Sequence, residues 1–131
     1  MTGLDTNILV RYLTHDHPLQ TAAAQRLVRS LSPDAPGFVS MVVIVELIWV
    51  LQAAYGFEKT EIEQVLETLL RSQELIVERA EIVSQALRIF RTSRADFSDG
   101  LIERCANAAG CDQTVTFDRR ASTSLGMRLL A

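Results

Sequence analysis

Residues 4–13 read LDTNILVRYL, a short apolar start followed by Asp5, Thr6 and Asn7 and then by an amphipathic segment. Its apolar residues recur at i, i+1, i+4 and i+5, which predicts a helix with one buried face. Thr6 or Asn7 is the expected N-cap of this helix. The stretch therefore predicts a strand that enters a helix, with the carboxylate of Asp5 where the strand ends.

The same alternation of strand and helix continues along the chain. Periodicity and breakers predict further helices over residues 19–31, 41–55, 59–71, 80–90 and 96–110, and strands over 37–40, 75–77 and 114–117. Residues 42–45 could also extend the preceding strand, but the apolar segment is longer than a usual strand and ends at Gly56, which favours a helix. Alternating strands and helices predict an α/β fold, a three-layer α/β/α sandwich around a central, mostly parallel sheet.

Composition indicates one ordinary globular domain. The 131 residues include 48% hydrophobic and 22% charged residues, enough for one core and without a linker-like segment, so residues 1–131 are expected to form a single domain. The net charge of −3 is not typical of a nucleic-acid binder. It is compatible with one if the acidic residues bind cations and arginines surround them.

Other sequence features point to a cytoplasmic protein. No basic and apolar leader is present, and the apolar run of residues 41–51 is too short to cross a membrane and is interrupted by Glu46. Cys105 and Cys111 are expected to be reduced thiols without a chemical role. His15 and His17 lie in a polar loop and are expected to be solvated rather than catalytic.

Several carboxylates fall at equivalent junctions. Asp5 and Asp118 stand where predicted strands finish, and Asp96 and Asp99 open a predicted helix. Ligands of open α/β sheets bind at the carboxyl ends of the strands, so these side chains are candidates for one site. Glu46 is the only charge in an apolar segment, which predicts that it is buried and either paired or bound to metal.

Each of these residues also has a structural explanation. Asp5 and Asp118 could accept backbone N–H bonds at helix starts, and Asp96 with Asp99 could form a capping box. Glu46 could lie at an exposed helix edge or pair with one arginine. These structural explanations do not account for the recurrence of four acidic residues at the same kind of junction: Asp5, Glu46, Asp99 and Asp118.

A cluster of carboxylates favours a particular chemistry. Like charges a few ångströms apart raise one another's pKa, so such a group needs cations, and hard oxygen ligands select Mg²⁺ or Mn²⁺. These ions activate water and stabilise the leaving oxygen of a phosphodiester. Arginines are the candidate phosphate contacts: Arg11 and Arg119 first, with Arg94 and Arg120 also possible. Trp49 and Phe38 have apolar neighbours and are expected in the core rather than on a base-stacking surface.

Four motifs in order resemble those of PIN domains of the VapC type. Residues 4–13 resemble the opening motif of that family, residues 45–47 (VEL) its second acidic position, residues 96–102 (DFSDGLI) its third and residues 116–118 (TFD) its fourth. No single motif is decisive, but the four in this order span essentially the whole chain.

The resemblance implies a Mg²⁺- or Mn²⁺-dependent endoribonuclease, a toxin of a toxin–antitoxin pair. The implied site consists of the carboxylates Asp5, Glu46, Asp99 and Asp118, with Thr6 and Thr116 as supporting hydroxyls and Asp96 as a further ligand or only a helix cap. The implied partners are an RNA substrate, a VapB-like antitoxin that covers the acidic groove with an inserted arginine, and a second copy in a homodimer. Glu103 departs from the small residues common after the third motif, which leaves the number of ligands open.

Two other classes fit the sequence less well. Phosphoryl-transfer enzymes usually carry a second aspartate two residues after the first, where this chain has Asn7, and receiver domains need a lysine near the site, whereas the only lysine is Lys59 in a polar helix start. A non-catalytic module of the same fold that binds RNA or a protein remains the alternative. Metal-dependent cleavage of RNA distinguishes it from the nuclease.

Overall fold

The computed structural model describes residues 1–131, which form two compact units, Met1–Glu78 and Arg79–Ala131. In the first unit the order is β1 (Thr2–Gly3), α1 (Thr6–Thr14), α2 (Pro18–Ser30), β2 (Gly37–Val39), α3 (Met41–Ala53), α4 (Lys59–Arg71) and β3 (Leu75–Val77). In the second unit it is α5 (Ala80–Thr92), α6 (Phe97–Ala108), β4 (Val115–Thr116), α7 (Arg119–Leu125) and β5 (Arg128–Leu129).

The first unit contains a parallel sheet of order β1-β2-β3. Each connection between neighbouring strands runs through two helices, as parallel pairing requires a long crossover. The buried side chains come from the strands and from one face of each helix; the largest are Leu9, Ile44, Leu47, Ile48, Leu51, Ile62 and Leu66. Gly37 is enclosed by leucines, since an added Cβ would lie 2.9 Å from side-chain atoms of Leu31 and Leu4.

The second unit is built on the packing of α5 against α6. Ile82, Val83, Ala86, Leu87 and Phe90 form the buried face of α5, as the sequence pattern predicts. Phe97 is fully buried and meets Phe90 edge-on, with ring centroids 6.1 Å apart. A second parallel pair, β4 with β5, follows in this unit.

Local sequence signals account for most of these boundaries. The α4 and β3 ranges agree with prediction, and α3 begins after Ser40, whose Oγ accepts the Val43 N–H at 3.2 Å. The predicted N-cap of α1 is wrong, because Asp5 occupies that position and Thr6 lies inside the helix. Helix α7 and strand β5 were not predicted, because their short segments lack a clear apolar period.

No helix of the structure combines the length and the apolar character that a membrane span requires. The two cysteines are not joined in a disulfide.

Candidate active site

In the first unit, the predicted residues Thr6 and Glu46 are in direct contact. The Thr6 hydroxyl, on a side chain only 5% exposed, donates a hydrogen bond to Glu46 Oε1. Thr6 is at the start of α1 and Glu46 in the middle of α3, so helix packing sets this contact. The bond orients the Glu46 carboxylate and leaves its second oxygen available to a ligand.

Asp5 occupies the N-cap position of α1 without capping it. Its side chain makes no hydrogen bond to the first-turn N–H groups and is exposed. The structural explanation of this aspartate therefore does not apply. An exposed carboxylate at a helix N-terminus is favoured by the helix dipole, yet both its oxygens stay open to a ligand.

The predicted burial of Glu46 is wrong, and so is the predicted core position of Trp49. Glu46 is exposed, and Trp49 is 66% exposed. The physical reason is that α3 is apolar around its whole circumference, whereas the unit buries only one side of it, including Ile44 and Leu47. Residues at i, i+4 and i+7 share a helix face, so Val42, which is 76% exposed, lies on the outward face with Glu46 and Trp49. Phe38 is half-buried.

In the second unit, Asp99 is affected by two neighbouring carboxylates. Partial burial raises the pKa of Asp99 above its ordinary value, and the nearby negative charges of Asp96 and Asp118 raise it further. The Arg120 guanidinium acts in the opposite direction. Asp96 is at the N-cap position of α6 but makes no side-chain cap bond, so the capping-box explanation fails as well.

The segment around Asp118 is held by hydrogen bonds on both sides. Thr116 Oγ1 accepts the Asp118 N–H at 3.0 Å, and Asp118 Oδ1 accepts the Arg120 N–H at 2.8 Å. Arg120 in turn donates from its side chain to the Arg94 carbonyl. Asp118 thus does cap α7, and Thr116 supports the backbone of Asp118. Arg119 is exposed beside Asp118.

The donor set fits a hard divalent cation. The predicted carboxylates supply oxygen ligands only, and a cation beside Asp99 would offset the negative charges of Asp96 and Asp118, which add to the effect of burial on the pKa of Asp99. The structure contains no group of three or more His, Cys, Asp or Glu side chains placed to hold a metal ion.

Other candidates from the sequence have structural partners. Both oxygens of Glu103 accept from the neighbouring Arg104, at 2.7 and 2.9 Å. Arg11 donates to Gln20, to Asp16 at 3.0 Å and to the Tyr55 hydroxyl at 3.1 Å.

The two histidines stand at the ends of the helices that flank the α1–α2 loop. His17 Nδ1 accepts the Gln20 N–H at 3.2 Å and so caps α2. His15 ends α1 in the left-handed conformation, with φ 59°.

Comparison with known families decides the relationship of this chain, since residues 4–123 match the PIN domain model. The chain belongs to the PIN domain family. Over 120 residues this PIN domain is 28% identical to the VapC ribonuclease of Aquifex aeolicus (strain VF5), an alignment that covers 92% of this chain and 89% of that protein. The predicted resemblance to VapC-type PIN domains and the predicted α/β, PIN-like fold class are confirmed.

Proposed function

We propose that this PIN domain is a toxin that cuts RNA as a Mg²⁺- or Mn²⁺-dependent endoribonuclease. The observation that carries the proposal is the position of Asp99, whose pKa is raised by its partial burial and by the nearby negative charges of Asp96 and Asp118, an environment that favours a bound cation. The similarity to a VapC ribonuclease supports the substrate class. The family match runs through both compact units, which supports their action as one domain.

The proposed ligands are the carboxylates of Asp5, Glu46, Asp99 and Asp118, with Asp96 as a further candidate. When bound, Mg²⁺ or Mn²⁺ would lower the pKa of a water molecule and offset the charge of the scissile phosphate. Thr6 holds Glu46 through a hydrogen bond, and Thr116 holds the backbone of Asp118.

Among the arginines, Arg119 is the stronger candidate for a phosphate contact. It is exposed and directly follows Asp118. Arg11 would have to give up its bonds to Gln20, Asp16 and Tyr55 to bind a phosphate, so its main contribution is to the stability of the first unit.

The proposed protein partner is a VapB-like antitoxin that covers the outward face of α3. This face carries two exposed apolar side chains, Val42 and Trp49, with the Glu46 carboxylate between them. An apolar segment that carries one arginine matches this pattern in both polarity and charge. The family further suggests a homodimer, which light scattering on the purified protein tests, and action on RNA in the cytoplasm.

The first experiment measures cleavage of total cellular RNA by the purified protein with Mg²⁺ or Mn²⁺ and, in parallel, with EDTA. We expect discrete fragments that EDTA, Asp5→Ala and Asp99→Ala each abolish. Asp34→Ala and Asp112→Ala are matched controls, because they remove exposed carboxylates from the same two units outside the proposed ligand set. If folded, metal-loaded protein without antitoxin cuts nothing, the non-catalytic alternative is correct.

A further inference from the structure

The parallel pair of β4 and β5 presents one outward face, which we call the β4–β5 face. Val115 pairs with Arg128 and Thr116 with Leu129, and the Leu130 N–H continues the pairing to the Thr116 carbonyl at 2.8 Å. Exposure alternates along both chains as the pleat requires, since Thr116 and Leu129 are half-buried and their neighbours are exposed. The β4–β5 face consists of Val115 (50% exposed), Phe117 (74%), Arg128 (exposed) and Leu130 (48%).

Phe117 is unusual among the aromatic residues of its unit. Phe90 and Phe97 are buried against each other in an edge-on pair, whereas Phe117 leaves most of its ring in water. Single exposed apolar residues are common on protein surfaces, but here an aromatic ring, two aliphatic side chains and an arginine share one small face. The combination suits a ligand with flat apolar faces and negative charge.

The backbone of this segment is well held. The Asp118 N–H is bonded to Thr116 Oγ1, and the Asp118 side chain accepts the Arg120 N–H. The Thr116 carbonyl is bonded to strand β5. Phe117 lies between these hydrogen-bonded positions, so its backbone is already ordered. A ligand that binds the exposed ring therefore costs little backbone conformational entropy.

Phe117 also directly precedes Asp118, a proposed metal ligand. Adjacent Cα atoms are about 3.8 Å apart, so a base stacked on Phe117 belongs to a nucleotide close to the scissile phosphate. Single-stranded nucleic acid is typically bound by aromatic rings that stack on bases, together with cations that contact the backbone. Arg128 on this face and the exposed Arg119 provide such cations.

We propose that the β4–β5 face binds single-stranded RNA, with a base next to the cleavage point stacked on Phe117. The inference rests on the proposed endoribonuclease function and adds a residue that determines where the RNA is cut. A flat ring gives preference for an unpaired base over a paired one, because only an unpaired base can stack on it.

The test combines a binding and a cleavage measurement. Binding uses a fluorescein-labelled single-stranded oligouridylate and, separately, a hairpin duplex, both in EDTA so that no cleavage occurs. We expect Phe117→Ala to weaken binding of the single strand by at least about fivefold and Phe117→Trp to retain it, since stacking on aromatic side chains is worth this much or more per base. Leu19→Ala, which removes an 80% exposed apolar side chain outside this face, is the matched control and should bind as the wild type does.

Cleavage with Mn²⁺ separates this inference from the proposed function. We expect Phe117→Ala to raise KM and to change the fragment pattern, and Phe117→Trp to restore both. Wild-type cleavage together with unchanged binding, KM and fragments in Phe117→Ala would overturn the inference and leave the nuclease intact. Wild-type protein without cleavage would refute the nuclease itself. Loss of self-association or of antitoxin binding in Phe117→Ala, with RNA binding unchanged, would show a protein interface instead.

Discussion

At the residue scale, the site depends on small groups that hold the carboxylates. Thr6 is the clearest case, because its buried hydroxyl bonds Glu46 directly. A hydrogen bond to a charged group contributes about 1.5–3 kcal/mol, so it determines which rotamer of Glu46 is populated. Thr116 acts differently, since it accepts from the backbone N–H of Asp118.

We expect Thr6→Val to reduce metal-dependent RNA cleavage by about tenfold or more, because the lost bond is worth at least about 1.5 kcal/mol. Valine has nearly the shape of threonine, so the free energy of unfolding should fall by no more than the lost bond contributes. Thr21→Val is the matched control: Thr21 is also buried in this unit, but its hydroxyl donates to the Arg11 carbonyl at 3.1 Å. Equal cleavage by the two variants would contradict the orienting role of Thr6.

A second residue-scale prediction concerns pH and stability. Chiefly because Tyr55 donates to it at 2.6 Å, the pKa of Asp16 is lowered below its ordinary value of 3.8. A lowered folded-state pKa stabilises the protein above the ordinary value, and this contribution is lost as pH falls through the folded-state pKa. Tyr55→Phe should therefore destabilise the protein at about pH 6 and much less at about pH 2. Urea unfolding at both pH values measures this; a pH-independent difference would exclude the carboxylate as the cause.

At the element scale, α3 combines a buried face with an outward face that is also apolar. Ile44 and Leu47 are fully buried, while Val42 and Trp49 are exposed on the side that carries Glu46. Such a surface is costly for an isolated protein and is typical of a surface that binds a partner. Exposed aromatic residues often contribute most of the affinity of an interface.

We therefore expect Trp49→Ala to weaken binding of the antitoxin by tenfold or more, since central tryptophans often contribute about 2 kcal/mol. Cleavage of RNA by the free protein should be retained. Calorimetry with the antitoxin and the cleavage assay measure the two effects separately. Leu19→Ala serves as control for an exposed apolar residue on another helix. Unchanged antitoxin affinity in Trp49→Ala would assign the partner to another surface.

Helix packing also predicts opposite effects at two glycines. A Cβ on Gly100 in α6 would lie 3.9 Å from Ala86 of α5, an ordinary contact, so Gly100→Ala should stabilise the protein by about 0.5–1 kcal/mol. A Cβ on Gly37 would lie 2.9 Å from leucine side chains, so Gly37→Ala should destabilise it, by about 1–3 kcal/mol. Thermal unfolding of both variants checks this, and the same sign of change in both would contradict it.

At the scale of the whole molecule, the proposed function requires carboxylates from both compact units. Metal that binds only the folded protein stabilises it, by about 2.7 kcal/mol at 100 times the Kd. We expect Mn²⁺ to raise the Tm, and Asp5→Asn in the first unit and Asp99→Asn in the second each to abolish this increase. Asp34→Asn and Asp112→Asn should retain it. An increase that survives in either ligand variant would exclude that carboxylate from the metal site.

Much of this molecule follows from the sequence alone. Helix periods, breakers and caps are local, so α4, β3 and the start of α3 agree with prediction, and the order of the four acidic motifs identified the PIN family. The short strand β5 and helix α7 carry too few residues for a period to be recognised. The sequence pattern also does not show which aspartate caps a helix with its side chain: Asp118 does so and Asp5 does not.

The tertiary structure decided what depends on packing between distant segments. The bond from Thr6 to Glu46 joins residues 40 apart. Asp118, which contributes to the raised pKa of Asp99, follows it only after the rest of α6 and strand β4. The outward position of Trp49 depends on which side of α3 the unit buries, because apolar residues occur all around this helix. Local composition sets which elements form, but only the packed chain sets which side chains meet and which remain in water, because those contacts are made between residues that have no fixed spacing in the sequence.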